Sequence, residues 1–146
     1  MVIMKPNEGR LQTAEHILAR TLERKFQTAK FVISKFEKNA GQLEISAETD
    51  MRKVDRETLE NEVNATIRKN LRVNKYILDR ENAEKDFDLT RVPFSVRDVR
   101  IVEIESFDKT PCKDPHVENT REIGFFKIVE VSKAGKDRYR FVFKVE

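Results

Sequence analysis

The chain has 146 residues, of which 38% are hydrophobic and 38% charged, and its 29 basic and 26 acidic side chains leave a formal charge of +3. That length suits one folded domain, expected here over residues 1–146, and four Gly and four Pro without a biased tract exclude a disordered or linker-rich chain. No apolar run approaches the roughly eighteen residues that span a bilayer, and Lys5, Pro6, Asn7 and Glu8 interrupt any signal-peptide core, so a cytoplasmic protein is expected.

Leu11, Ala14, Leu18 and Leu22, with Ile17 alongside, recur at three- and four-residue steps and predict a helix from Arg10 to Phe26. Lys30 to Phe36 is aromatic and β-branched. The alternation of Leu43, Ile45 and Ala47 after Asn39-Ala40-Gly41 makes a β-hairpin with it. A second helix starts at the N-cap Asp55 and carries Leu59, Val63, Ile67 and Leu71 on one side, with Glu60, Glu62, Arg68 and Lys69 toward water. Val73 to Leu78 reads as a strand, Glu81 to Phe87 as a short helix or loop, and Val99 to Ile104 as a central strand. Phe125 to Val131 and Tyr139 to Val145 flank a loop at Lys133–Asp137, and the second of them puts Tyr139, Phe141, Phe143 and Val145 on one face.

The sum is an α+β fold, helices packed on a largely antiparallel sheet. Ten Phe and no Trp suggest a phenylalanine-dominated interior rather than base-stacking platforms, and the dense charge from Asp79 to Ser95 marks the least ordered stretch. No internal repeat or heptad series is present.

The chemistry-bearing residues are few. Cys112 is the single cysteine and His16 and His116 the only histidines. A lone cysteine excludes an intrachain disulfide and leaves a thiol that is either inert filling or chemically employed. Thiolate and imidazole are zinc ligands, and three protein ligands with an open fourth position are what a hydrolytic zinc needs to activate water. By spacing alone the three residues fit either such a site or unrelated core and surface positions.

Several separated segments carry a resemblance. Thr13-Ala14-Glu15-His16-Ile17-Leu18 and Cys112-Lys113-Asp114-Pro115-His116-Val117, with Asn119-Thr120-Arg121-Glu122-Ile123-Gly124 and Phe126-Lys127-Ile128 following, are similar to the motifs of the editing domain of alanyl- and threonyl-tRNA synthetases and of stand-alone alanyl-tRNA editing proteins. Thr58-Leu59-Glu60, Val63-Asn64, Ile67, Asn70-Leu71 and Val73 look like the family's middle helix. The chain departs from the pattern at Gln12, where the family has a histidine, and at Lys113, Asp114 and Pro115, which replace Gly-Gly-Thr. Arg121 stands where a glycine is frequent.

The resemblance implies a metal-dependent aminoacyl-tRNA deacylase, an ester hydrolase acting on alanine tRNA wrongly charged with serine or glycine. It implies Zn2+ held by His16, Cys112 and His116, with Gln12 as a weak fourth ligand or a hydrogen-bonding neighbour. Glu15 and Asp114 are carboxylates that could orient water, against a plainer reading of Glu15 as solvated and Asp114 as fixing a turn before Pro115. The implied partner is the aminoacylated acceptor end of tRNA, contacted by Arg20, Arg24 and Lys25 on the first helix and by Arg138, Arg140 and Lys144 on the last strand. A protein partner or second copy is a further expectation; neither a membrane nor DNA is. The β-barrel-like portion that precedes the first motif in stand-alone editing proteins is expected to be missing. Two alternatives stay open: a degenerate domain that keeps the fold and tRNA affinity without catalysis, favoured by Gln12, and a metal-stabilised interaction module without RNA.

Overall fold

A computed structural model describes residues 7–146. Lys5 and Pro6, named above at the N-terminus, lie outside the described residues. The elements are α1 (Glu8–Lys25), β1 (Lys30–Phe36), β2 (Gly41–Ser46), α2 (Arg56–Ile67), β3 (Val73–Asp79), α3 (Arg80–Asp86), β4 (Asp98–Ile104), β5 (Asp108–Pro111), β6 (Phe126–Gly135) and β7 (Arg138–Val145). Short 3-10 turns occupy Met51–Lys53 and Thr120–Ile123. The fold is α+β: one antiparallel sheet in the order β1-β2-β7-β6 and a second in the order β3-β4-β5. No helix is long and apolar enough to cross a membrane among the described residues.

The helical stripe of α1 fulfils its purpose. Leu11, Ala14, Ile17, Leu18 and Leu22 are fully buried and share one core with Leu43 and Ile45 of β2 and Phe141 and Phe143 of β7. Burying a side chain of this size contributes roughly 1.5–3 kcal/mol, so this layer is the main cohesive element. The period of two along β7 puts Tyr139, Phe141 and Phe143 inside and leaves Arg138 and Arg140 exposed on the opposite face. Gly41 sits against the Phe143 ring so closely that an added Cβ would lie 2.3 Å from it. Strand β4 is covered on both faces. Val102 and Ile104 belong to the main core, whereas Val99 and Ile101 join Ala83 and Leu89 in a smaller cluster.

Two motif segments turn out to be joints of the scaffold. Asn64, buried on α2, exchanges two 2.9 Å hydrogen bonds with the backbone of Phe126, tying the helix to the first residue of β6. The Thr120 hydroxyl, fully buried, donates to the Ile67 carbonyl and accepts from Leu71 N–H, closing the end of α2. Asn119 and Glu122 form a reciprocal capping box around the turn that follows.

Five sequence expectations are corrected. Leu71 is not on α2, which ends at Ile67; the chain turns through Asn70 at a φ of 56°. Glu60 does not simply face water, because it accepts from Ile128 N–H at 2.7 Å, whereas Glu62 reaches water as expected, in a surface pair with Lys25. The Lys133–Asp137 loop shrinks to a tight turn at Lys136 and Asp137: β6 runs on through a register shift to Gly135. Phenylalanine does not dominate the interior, since only Phe126, Phe141 and Phe143 of the ten Phe are fully buried and Phe94 is 80% exposed.

The stretch from Asp79 to Ser95 is built, not loose. It opens with α3, capped by Asp79 through Asn82 N–H. The buried Arg80 guanidinium then donates to the carbonyls of Val92, Pro93 and Val96, which holds the following loop closed.

Candidate metal centre

The site lies where the first half of α1 meets the loop between β5 and the Thr120 turn. Gln12, Thr13, Glu15 and His16 are all buried on α1. Cys112 follows β5 directly, and its N–H donates to the Arg100 carbonyl at 3.0 Å, which extends the pairing with β4 by one step. The loop is then pinned from below and behind. Arg100, on β4, donates from Nη1 to the carbonyls of Lys113 and Asp114, and Lys75 Nζ reaches the His116 carbonyl. The replacement of Gly-Gly-Thr by Lys113-Asp114-Pro115 is thereby accommodated with a fixed backbone.

His16, Cys112 and His116 converge: one donor atom from each lies within 4.8 Å of the others. His116 Nε2 is 3.4 Å from Cys112 Sγ, and the two imidazole rings meet edge to face with centroids 4.6 Å apart. A tetrahedral zinc with bonds of about 2.3 Å to sulfur and about 2.0 Å to nitrogen sets its donors about 3.5 Å apart. The donor set suits zinc, and the 3.4 Å between Cys112 Sγ and His116 Nε2 matches that spacing. Gln12 stands one helical turn before His16, so its amide is directed at the same region by helix geometry.

Burial sets the protonation of these groups. Desolvation lowers His16 to about 4 and His116 to about 2, so both rings are neutral lone-pair donors near pH 7. It pushes the Cys112 thiol up to about 11, with Asp114 Oδ2 accepting from the sulfur at 3.7 Å. Without a cation the thiol keeps its proton.

Glu15 is not the solvated residue of the plainer reading. It is 5% exposed, and its Oε2 lies 3.8 Å from His16 Nε2. Desolvation first, then the nearby Glu23, Asp114 and Asp108, raise its carboxyl to about 8. Asp114 is half-buried, and its side chain faces the sulfur.

Sequence reasoning passed over Thr13 and Arg100. Thr13 is fully buried with its hydroxyl 2.9 Å from His116 Nδ1. The signal for it was faint, a threonine amid a helical stripe whose partner is 103 residues away.

The basic candidates fall in two groups. Arg20 is bound to Asp108 at 2.6 Å, Arg24 donates to the Phe107 carbonyl while lying 4.6 Å over that ring, and Lys25 pairs with Glu62 at 2.5 Å. Arg20 and Arg24 line an open cleft of about 800 Å3 together with Tyr76, Phe107 and Lys109. Arg138 and Arg140 lie on the face of β7 away from α1; Arg138 faces Glu44, and Lys144 pairs with Glu146 at 3.2 Å.

Comparison with known proteins agrees with this architecture. Residues 99–142 match the family described as the Threonyl and Alanyl tRNA synthetase second additional domain. The chain is 33% identical over 144 residues to the alanyl-tRNA editing protein AlaX-M of Saccharolobus solfataricus, covering 94% of this chain and 58% of that protein. It is 38% identical over 97 residues to the alanine--tRNA ligase of Aeropyrum pernix, covering 64% of this chain and 11% of the ligase. To the threonine--tRNA ligase of Haloarcula marismortui it is 26% identical over 129 residues, covering 84% of this chain and 20% of the ligase. The chain thus spans a tenth to somewhat over half of these relatives. With motifs, fold and relatives in agreement, the chain belongs to the editing-domain family of alanyl- and threonyl-tRNA synthetases and alanyl-tRNA editing proteins.

Proposed function

We propose that this protein is a trans-acting hydrolase that removes a wrongly attached amino acid from tRNA, with alanine tRNA charged with serine or glycine as substrate and zinc as cofactor. The observation that carries the reading is the convergence of His16, Cys112 and His116 from two distant segments onto one point beside a buried carboxyl. Relatives named alanyl-tRNA editing proteins support the substrate class.

The bound ion would supply Lewis-acid activation of water and of the ester carbonyl. The protein's own residues do the rest. Glu15 sits beside His16, and as a carboxylate beside the bound cation it orients the attacking water and takes its proton. The ester C–O bond then breaks, and the departing ribose oxygen receives a proton, giving free amino acid and intact tRNA. Asp114 accepts from the Cys112 thiol only while the sulfur keeps its proton, and it has no assigned part on the substrate. The tRNA backbone runs along α1, where phosphate competes with Asp108, the Phe107 carbonyl and Glu62 for Arg20, Arg24 and Lys25, and Arg138, Arg140 and Lys144 supply a further contact. The reaction belongs in the cytoplasm, where charged tRNA is used.

Incubating the zinc-loaded protein with serine-charged alanine tRNA tests the reading. Free serine should appear, and chelation or His116→Ala should stop it. Tight tRNA binding without release of serine would instead favour a binding domain without catalysis, the reading to which Gln12 lends weight.

A further inference from the structure

The hydroxyl of Thr13 makes three contacts at once. It is 3.0 Å from the Gly9 carbonyl, 2.9 Å from His116 Nδ1 and 3.2 Å from the N–H of Val117. A hydroxyl has one proton to donate and two lone pairs with which to accept. The Gly9 carbonyl can only accept, and the Val117 N–H can only donate. The one assignment that satisfies all three contacts sends the hydroxyl proton to Gly9 and makes Nδ1 of His116 a donor. In the reverse assignment the hydroxyl proton points at His116, and two oxygens face each other at 3.0 Å with no proton between them.

The consequence falls at the other end of the ring. If Nδ1 carries the proton, neutral His116 has its lone pair on Nε2, which faces Cys112 Sγ at 3.4 Å and is the nearer acceptor for the thiol proton, Asp114 Oδ2 being at 3.7 Å. We infer that Thr13 is a positioning residue that fixes the Nδ1–H tautomer and the orientation of His116, so that Nε2 is ready to bind metal before any metal arrives. The device is rigid because Thr13 is fully buried in α1 and because the same hydroxyl also anchors Val117, the residue after the ligand. A ligating histidine commonly has its second nitrogen held by a hydrogen-bond acceptor, and loss of that partner costs about 10–100-fold in metal affinity. The inference rests on the metal-binding part of the proposed function and not on the identity of the substrate.

The test reads the tautomer directly. Metal-free protein labelled with 15N in histidine should show His116 as the Nδ1–H form by long-range proton-nitrogen correlation at pH 7. Thr13→Val, close in shape but without the hydroxyl, should give a mixture of tautomers and at least about tenfold weaker zinc binding. Thr13→Ser should restore both, which separates the hydrogen bond from packing of the methyl group. An Nε2–H tautomer in the wild-type protein overturns the proposal, as does zinc affinity unchanged in a folded Thr13→Val. Absence of deacylation alongside the expected tautomer and affinities would count against the substrate reading alone.

Discussion

His16 and His116 meet with ring planes at 78° and centroids 4.6 Å apart, and neither is charged near neutrality because burial holds them at about 4 and about 2. Protons therefore compete with zinc at Cys112, not at the imidazoles. Since the thiol is pushed up to about 11, zinc must displace its proton across the whole neutral range. Binding should tighten as pH rises from 6 to 9 and release at least about one proton per zinc, with none from the histidines. Calorimetry in two buffers of different ionisation heat measures that number. Cys112→Ser should remove it together with most of the affinity.

Glu15 makes the metal-free protein sensitive to alkali. Its folded value of about 8 lies above the usual 4.5, so above that usual value the unfolded chain gives up a proton that the folded chain keeps. Stability of the metal-free form therefore falls as pH rises from about 5 to about 8 and stays low above it. Glu15→Gln should flatten this profile and stabilise the metal-free protein at pH 9 by at least about 2 kcal/mol, read by urea unfolding. The same substitution should lower the rate of deacylation.

Gln12 lies one helical turn before His16 on the buried face of α1. An amide oxygen is a poor zinc donor beside thiolate and imidazole. Gln12→His puts a second imidazole one turn from His16 on a buried helical face. Zinc affinity should rise at least about tenfold in competition with a chromophoric chelator.

Arg80 should prove more costly to remove than its charged neighbourhood suggests. Its buried guanidinium serves three loop carbonyls, and Glu84, at 3.3 Å, is its one ion-pair partner among the described residues. Arg80→Ala leaves those acceptors without a donor and should destabilise by roughly 2–4 kcal/mol, visible as a lowered Tm. Zinc affinity should change little.

Much of the scaffold was legible because it is local. The stripe of α1 and the alternation of β7 are written in residues three, four or two apart, and burial follows them. Strand β5 was missed because Asp108-Lys109-Thr110-Pro111 has no apolar alternation; it is a strand by virtue of pairing with Ile101 to Ile104. The stretch from Asp79 to Ser95, which Arg80 holds closed, was misjudged for a related reason. Charge density says water, but three carbonyls supplied by a later loop make the guanidinium an interior residue. At the site, His16, Cys112 and His116 stand out by rarity and motif alone. Thr13 and Arg100 do not, because each acts through a contact with a segment that only folding brings near. The solvated reading of Glu15 failed because helical position alone does not reveal the loop that covers it.

Cobalt substitution offers the most direct look at the centre. Cobalt(II) added to the metal-free protein should give a sulfur-to-cobalt charge-transfer band in the near ultraviolet and intense tetrahedral visible bands, at about one ion per chain. Cys112→Ser should erase the first, and His16→Ala or His116→Ala should collapse the second. A wild-type protein that binds no cobalt, or whose bands survive loss of all three side chains one by one, would contradict the account.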